Sequence, residues 1–327
     1  MKEKVIKEIE QKMASILNNE QKEKLKEVLS YTFFNIEVTN IKDELTEDTT
    51  DYAKLFISAK RIEGCSERTL NYYETTINNM IESINKKVNC IETEDLRNYL
   101  SEYQSKNNCS KVTIDNVRRI LSSFFAWLED EDYIVKSPVR RIHKVKATQT
   151  VKETYTDEEL EEMRDACTEI RDLAMIDFLS STGVRVGELV NLDKVDVNMQ
   201  ERSCVVLGKS GKEREVYFDA RTKIHLQNYL NTRTDNNSAL FVSLLKPYDR
   251  LKISGVEIRL RKLGRKTNIR KVHPHKFRRT MATKAIDKGM PIEQVQVLLG
   301  HRKIDTTLQY AMVNQNNVRN SHKRFIC

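Results

Sequence analysis

Apolar residues recur every three to four positions along most of this chain, with charged residues between them, which is the period of amphipathic helices. Val5, Ile6, Ile9, Met13, Ile16 and Leu17 keep that spacing, and Leu25, Val28 and Leu29 resume it after Asn18-Asn19. A helix is predicted over Tyr52, Leu55, Phe56 and Ala59. A second starts at Ser66-Glu67-Arg68-Thr69 and carries Leu70, Tyr73, Ile77, Met80 and Ile81. A third starts at Thr93-Glu94-Asp95-Leu96, with Thr93 as its N-cap. A fourth runs from about Lys111 to Glu129 and buries Ile114, Val117, Leu121, Phe124, Phe125 and Leu128. Thr156-Asp157-Glu158-Glu159-Leu160 marks another start, with helices to about Ser180 and a short one opening near Arg185 after a Thr182-Gly183 turn. Alternation replaces this period only at Cys204–Leu207 and Arg214–Phe218, joined by Gly208-Lys209-Ser210-Gly211-Lys212-Glu213, which predicts a β-hairpin. From about Arg221 to Asn314 the pattern is again helical.

The fold class expected is therefore mainly α with a small β-hairpin or sheet. Residues 1–48 form a helical appendage, mildly acidic with eight Lys against eleven Asp+Glu, that packs on the body or on a neighbouring subunit. Residues 49–135 form a compact four-helix unit, 136–153 a basic linker, 154–314 a second, larger domain, and 315–327 a short basic tail. The stretch 136–152 has six Lys+Arg and no acid. Between Arg250 and Arg279 stand twelve Lys+Arg and one acid, Glu257, a block expected to lie along an anionic ligand.

Bulk properties narrow the picture. A chain of 327 residues suits two domains, and four Pro with nine Gly favour long helices over a turn-rich β protein. A net charge of +8 points toward a polyanionic partner without establishing one. The six cysteines are scattered with no Cys-x-x-Cys pair, which fits a reducing compartment and argues against zinc fingers and disulfide scaffolds. No signal-like segment or apolar run of membrane length is present, so a soluble cytoplasmic protein with no membrane partner is expected.

Six side chains carry candidate chemistry: Arg185, Lys209, His275, Arg278, His301 and Tyr310. Cleaving a phosphodiester without metal needs fixed positive charge on the nonbridging oxygens, which Arg185 and Arg278 would supply. Tyr310 would attack and keep the phosphoryl bond energy in a covalent link. His275 and His301 would move protons, and Lys209 at the hairpin tip would protonate the leaving 5′ oxygen. Read singly, each has an ordinary explanation: a surface arginine, one cation in a basic run, a packing tyrosine, a turn lysine. His273-Pro274-His275 resembles a chelating pair, but Lys271, Lys276, Arg278 and Arg279 surround it, so no metal is expected. No glycine-rich phosphate loop appears, and no cofactor is expected.

Order and spacing decide between these readings. Thr182-Gly183-Val184-Arg185-Val186-Gly187-Glu188-Leu189, Gly208-Lys209-Ser210-Gly211-Lys212-Glu213-Arg214, His275-Lys276-Phe277-Arg278 and Leu299-Gly300-His301 with Tyr310 resemble, in order, the signatures of the tyrosine recombinases, the phage-integrase and Xer-like enzymes. The resemblance spans about Tyr155 to Tyr310, and more loosely the preceding helical unit and linker, which look like the family's SAM-like core-binding domain. It implies a phosphate-binding pair Arg185 and Arg278, a leaving-group acid Lys209, a proton-transfer histidine His275, a phosphate-contacting His301, a nucleophile Tyr310 and a supporting acid Glu188. Arg279 stands where many relatives carry histidine. The 1–48 appendage lies outside the common pattern.

The resemblance further implies a site-specific recombinase that cleaves and rejoins DNA through a 3′-phosphotyrosyl link, independent of metal and ATP. Four protomers would act on double-stranded DNA, with accessory DNA-bending proteins as further partners and a nucleoid-associated location. Lys111, Arg118, Arg119, Arg140, Arg141, Lys144, Lys146, Lys276 and Arg279 are the candidate DNA contacts. The role expected is integration and excision of a mobile element. Alternatives are a Xer-type dimer resolvase, a DNA invertase, a type IB topoisomerase-like enzyme or an inactive DNA-binding homologue.

Overall fold

The computed structural model describes residues 2–14, 16–34, 36, 50–146, 153–208 and 211–311. Lys209 and the expected tail 315–327 lie outside them. The chain divides into two compact units, Met1–Thr148 and Gln149–Cys327.

The first unit opens with α1 (Lys2–Met13) and α2 (Asn19–Thr32), which pack on each other. Asn18 caps α2: its side chain accepts the Gln21 amide at 2.9 Å, and the Gln21 side chain accepts the Asn18 amide at 3.0 Å. Next come α3 (Tyr52–Ile62), α4 (Glu67–Ile84), α5 (Thr93–Asn107) and α6 (Lys111–Asp130). Their apolar stripes meet in a core that includes Phe56, Ile77, Leu96, Phe124, Phe125 and Leu128. Ser66 and Ser110 cap α4 and α6 by accepting the amides of Thr69 and Thr113.

Two expectations need correction here. The N-cap of α5 is Glu92 rather than Thr93; Asp95 accepts the Glu92 amide at 2.9 Å, which frees the Thr93 hydroxyl to donate to Pro138 O at 2.7 Å. That bond also shows that the segment read as linker begins as packed structure. A 3-10 turn at Pro138–Arg141 buries Val139, Ser137 donates its amide to Glu129, and Ile142 and Val145 pack on the core. Apolar residues spaced among the cations hold this stretch down, so the helical unit ends later than residue 135.

The second unit contains α7 (Asp157–Asp165), α8 (Ile170–Thr182), α9 (Val186–Asn191), β1 (Val197–Asn198), β2 (Ser203–Leu207), β3 (Glu213–Tyr217), α10 (Ala220–Asn231), α11 (Ile253–Lys266), α12 (Pro274–Asp287), α13 (Ile292–Leu299) and α14 (Ile304–Ala311). Thr156 and Glu159 form a reciprocal capping box on α7. Helix α8 is central: Ala174, Met175, Ile176, Phe178 and Leu179 are all buried, and α10 and α12 pack against it. The strands form one antiparallel sheet in the order β1-β2-β3, so a short third strand joins the expected hairpin. Cys204 pairs with Val216 and Val206 with Arg214, placing Arg214 on the face that buries Val206 and Val216.

The expectation of continuous helix after Arg221 fails over residues 232–252. Leu240, Phe241 and Val242 are buried there outside any helix, with isolated bridges Asp193 to Ala239 and Val242 to Arg250. Asp235 accepts the Asn237 amide at 3.0 Å, and Arg233 donates to the carbonyls of Asn237, Ala239 and Leu240. Asp235-Asn236-Asn237-Ser238 offers side-chain bonds that outcompete helix. No helix among the described residues is long and apolar enough to cross a membrane.

Candidate active site

The C-terminal turn of α13 organises the site. A helix end leaves carbonyls without intrahelical partners. Here three successive carbonyls are taken by three different arginines. Leu298 O accepts Nε of Arg214 at 2.9 Å, Leu299 O accepts Nη2 of Arg278, and Gly300 O accepts Nη2 of Arg185 at 3.2 Å. Gly300 closes the helix with φ +61°, a left-handed conformation suited to glycine. A Cβ on it would lie 3.0 Å from Cδ of Arg214, so the arginine stem also needs a glycine there. His301 follows directly, held by its own amide on Gln296 O at 3.1 Å and by the Gln296 side chain on its carbonyl at 3.0 Å.

Arg185 is the N-cap of α9, and Glu188 three residues on accepts its amide at 2.7 Å and its Nη1 at 2.8 Å. Capping geometry therefore explains why an acid at this spacing steadies the arginine. Arg214 closes on the same carboxylate with both η nitrogens, at 2.8 and 2.7 Å. Burial alone would raise the Glu188 pKa, but Arg214 and Arg185 overturn it and hold the carboxyl down at about 2.

Arg278, on α12, is 3% exposed, and its charge is met by Gly183 O at 2.7 Å, by Leu299 O and by Nε2 of His301 at 3.1 Å. Burial first and the neighbouring Arg185 second lower its pKa to about 10, so it stays charged at neutral pH. Gly183 ends α8 with φ +62°, which turns its carbonyl toward Arg278. His301 is pushed down to about 4 by burial, then by Arg278, Arg185 and Arg214. Its Nδ1 meets the hydroxyl of fully buried Thr307 at 2.9 Å.

Tyr310 sits on α14 with its ring packed on the cluster of Ala282, Val295 and Leu299, and 6.0 Å from the His301 ring, centroid to centroid. Its own chain thus brings it beside Arg278 and His301. His275 is exposed on the first turn of α12, three residues before Arg278 on the same helix face. Three guanidiniums less one carboxylate leave two positive charges around the turn, with His301 neutral at pH 7. Lys212, Arg302 and Lys303 line the adjoining open depression with Arg185, Arg214 and His301.

The candidate DNA contacts fare differently. Lys111, Arg119, Arg141, Lys144 and Lys146 are exposed. Arg118 pairs with Asp115 at 2.9 Å and is largely covered, and Arg140 lies 3.3 Å from Glu129. Lys276 corrects the expectation: it is 4% exposed, with Nζ 4.3 Å over the Tyr155 ring, so it belongs to the interior. Arg279 donates to Glu153 O at 2.7 Å. Much of the one-sided basic block is likewise met by partners from elsewhere. Arg250 binds Val190 O, Leu192 O and Asp193; Arg259 binds Asp172; Lys266 binds Ala166 O. Lys252, Lys262, Arg265, Arg270 and Lys271 remain on the surface.

Sequence reasoning missed Arg214 and Thr307 as site residues. The signal for Arg214 was present in Glu213-Arg214-Glu215-Val216-Tyr217, where alternation puts a charge on the buried face of a strand.

The phage integrase family model matches residues 153–317, and a phage integrase N-terminal SAM-like domain model matches residues 53–134. Tyrosine recombinase XerC of Staphylococcus aureus (strain NCTC 8325 / PS 47) is 30% identical over 288 residues, which cover 82% of this chain and 95% of that protein. Among solved structures, the Tn1549 transposon integrase in complex with a circular intermediate DNA superposes with TM-score 0.69 at 17% identity, covering 84% of this chain and 99% of that one. XerH site-specific recombinase bound to a palindromic difH substrate gives 0.68 at 19% identity, covering 97% and 93%.

Proposed function

The chain belongs to the phage integrase family, the tyrosine recombinases that cleave and rejoin DNA, and from that premise we propose that Tyr310 is its nucleophile and the α13 turn its phosphate site. The observation that carries this is the convergence of Arg185, Arg278 and His301 on one helix end with Tyr310 packed beside it. A phosphodiester carries one negative charge, and the pentavalent state reached on attack carries two. The two surplus positive charges match the second better than the first, which is the condition for lowering the barrier.

The Tyr310 oxygen attacks the scissile phosphorus and its proton passes to His275. The bond to the 5′ oxygen breaks, and Lys209 supplies that oxygen with a proton. The product is a 3′-phosphotyrosyl link and a free 5′ hydroxyl. Attack by a 5′ hydroxyl of the partner strand reverses each step and releases the tyrosine. Arg185 and Arg278 hold the nonbridging oxygens throughout, and neutral His301, accepting from Arg278 through Nε2, orients that guanidinium toward the phosphate. The substrate is duplex DNA, gripped by the exposed cations of α6, the segment after it and α11, with four protomers assembling on two sites and DNA-bending proteins as accessories.

For the role, integration and excision of a mobile element is the reading proposed. Xer-type dimer resolution is the second, favoured by the XerC relatives at 30% identity. Trapping covalent protein–DNA complexes in cells and sequencing the attached DNA tests both. Element ends in the trapped DNA support the first role and a single chromosomal site the second. On a suicide duplex built from that DNA, wild type should give a covalent band that Tyr310→Phe lacks. Absence of the band from wild type overturns the catalytic reading.

A further inference from the structure

We infer that Arg214 is a positioning residue for strand cleavage: through Glu188 it keeps the Arg185 guanidinium open toward the scissile phosphate. The inference rests on the recombinase reading above. Four donors surround the two oxygens of Glu188. Oε1 accepts Nη1 of Arg185 and Nη1 of Arg214, both at 2.8 Å. Oε2 accepts the Arg185 amide and Nη2 of Arg214, both at 2.7 Å. Arg214 therefore holds the two-pronged pairing, while the Arg185 side chain makes one bond to the carboxylate and one to Gly300 O.

That division decides how Arg185 can act. A guanidinium closed with two nitrogens on a carboxylate has used the kind of edge it would offer to two phosphate oxygens. The Glu188 side chain is 4% exposed, so its two oxygens rely on these protein donors rather than on bulk water. If Arg214 is lost, Arg185 is the cation at hand to close on both oxygens, and its phosphate-facing edge turns inward.

Arg214 is itself fixed. It is 10% exposed, its Nε is held by Leu298 O at 2.9 Å, and its stem lies on Gly300. Its backbone is registered opposite Val206 in the sheet. A side chain locked at three points sets the orientation of the carboxylate rather than following it. Lysine in its place would carry the charge without the fork.

The test is single-turnover cleavage of a suicide duplex by Arg214→Ala, Arg214→Lys, Glu188→Gln and the double variant Arg214→Ala with Glu188→Gln. Arg214→Ala should slow covalent-complex formation ~100-fold and Arg214→Lys ~10-fold, with DNA affinity within ~2-fold of wild type. The loss should persist on a duplex with sulfur at the 5′ bridging position, whose thiolate leaves without a proton, because phosphate contact and not leaving-group protonation is impaired. Removing Glu188 as well removes the carboxylate that captures Arg185, so the double variant should be no slower than Arg214→Ala alone. Rates within ~2-fold of wild type, recovery on the sulfur substrate, or multiplied losses in the double variant overturn the inference. If Arg214→Ala does not fold, Arg214→Lys with a melting temperature near wild type carries the same comparisons. A wild-type protein that leaves the duplex intact overturns the recombinase reading and this inference together; an active wild type with unimpaired Arg214 variants overturns the inference alone.

Discussion

Nη2 of Arg278 lies 3.1 Å from Nε2 of His301. A guanidinium only donates, so Nε2 accepts and the ring proton sits on Nδ1, facing Thr307 Oγ1. Two side chains 23 residues apart in sequence thus form one unit, in which burial and then the arginine keep the imidazole neutral, the arginine sets its tautomer and the threonine accepts the Nδ1 proton.

The pH dependence of stability should report this unit. His301 is depressed from 6.5 to about 4. As pH falls through that window the unfolded chain takes up the proton and the folded one does not, so stability falls with pH there and is insensitive to this group above it. Thermal melts of wild type and His301→Asn between pH 8 and 4 should show a shallower acid limb for the variant. Parallel curves would contradict the assignment.

Glu188 should behave in the opposite sense expected of a buried acid. Its folded value of about 2 lies below the ordinary 4.5, so it contributes stability above pH 4.5 that disappears as pH falls toward 2. Glu188→Gln leaves buried guanidiniums short of a counter-charge and should cost on the order of 3 kcal/mol at neutral pH, read by urea denaturation.

The two glycines that shape the site should separate stability from activity. Gly183→Ala meets a positive φ and places a Cβ 2.2 Å from Cε of Met281, a mobile methyl that can move aside. The backbone strain then dominates, at about 1–2 kcal/mol. At Gly300 the neighbour is Arg214, clamped to Glu188 and unable to retreat. Gly300→Ala should therefore slow cleavage ~10-fold or more for a similar loss of stability.

Salt titrations of DNA binding should sort the cations. Lys276→Met removes a buried amine over Tyr155 and should leave the slope of log affinity against log salt unchanged while lowering the melting temperature. Arg265→Gln and Arg270→Gln, at exposed positions, should each reduce the slope by about 1. An unchanged slope at both would remove α11 and the turn after it from the DNA footprint.

Periodicity and start signals placed the helices of the first unit, since a stripe such as Ile114, Val117, Leu121 and Phe124 has one face to bury and no alternative partner for it. Where local side-chain bonds compete with helix, as at Asp235-Asn236-Asn237-Ser238, the period misled. Thr93 misled for a related reason: its hydroxyl had a distant carbonyl to satisfy, on Pro138.

By itself, the sequence determined the helical architecture, the hairpin and the family, because side-chain period, capping spacing and motif order are local properties written along the chain. The tertiary structure alone decided which charges belong to the site. Arg214 reaches Leu298 across 84 residues and Arg185 reaches Gly300 across 115, while Lys276, adjacent to the site in sequence, turns to the interior. Like charges in a run look equivalent in sequence; what separates them is the carbonyl, carboxylate or ring that packing brings to each, and packing depends on the whole chain.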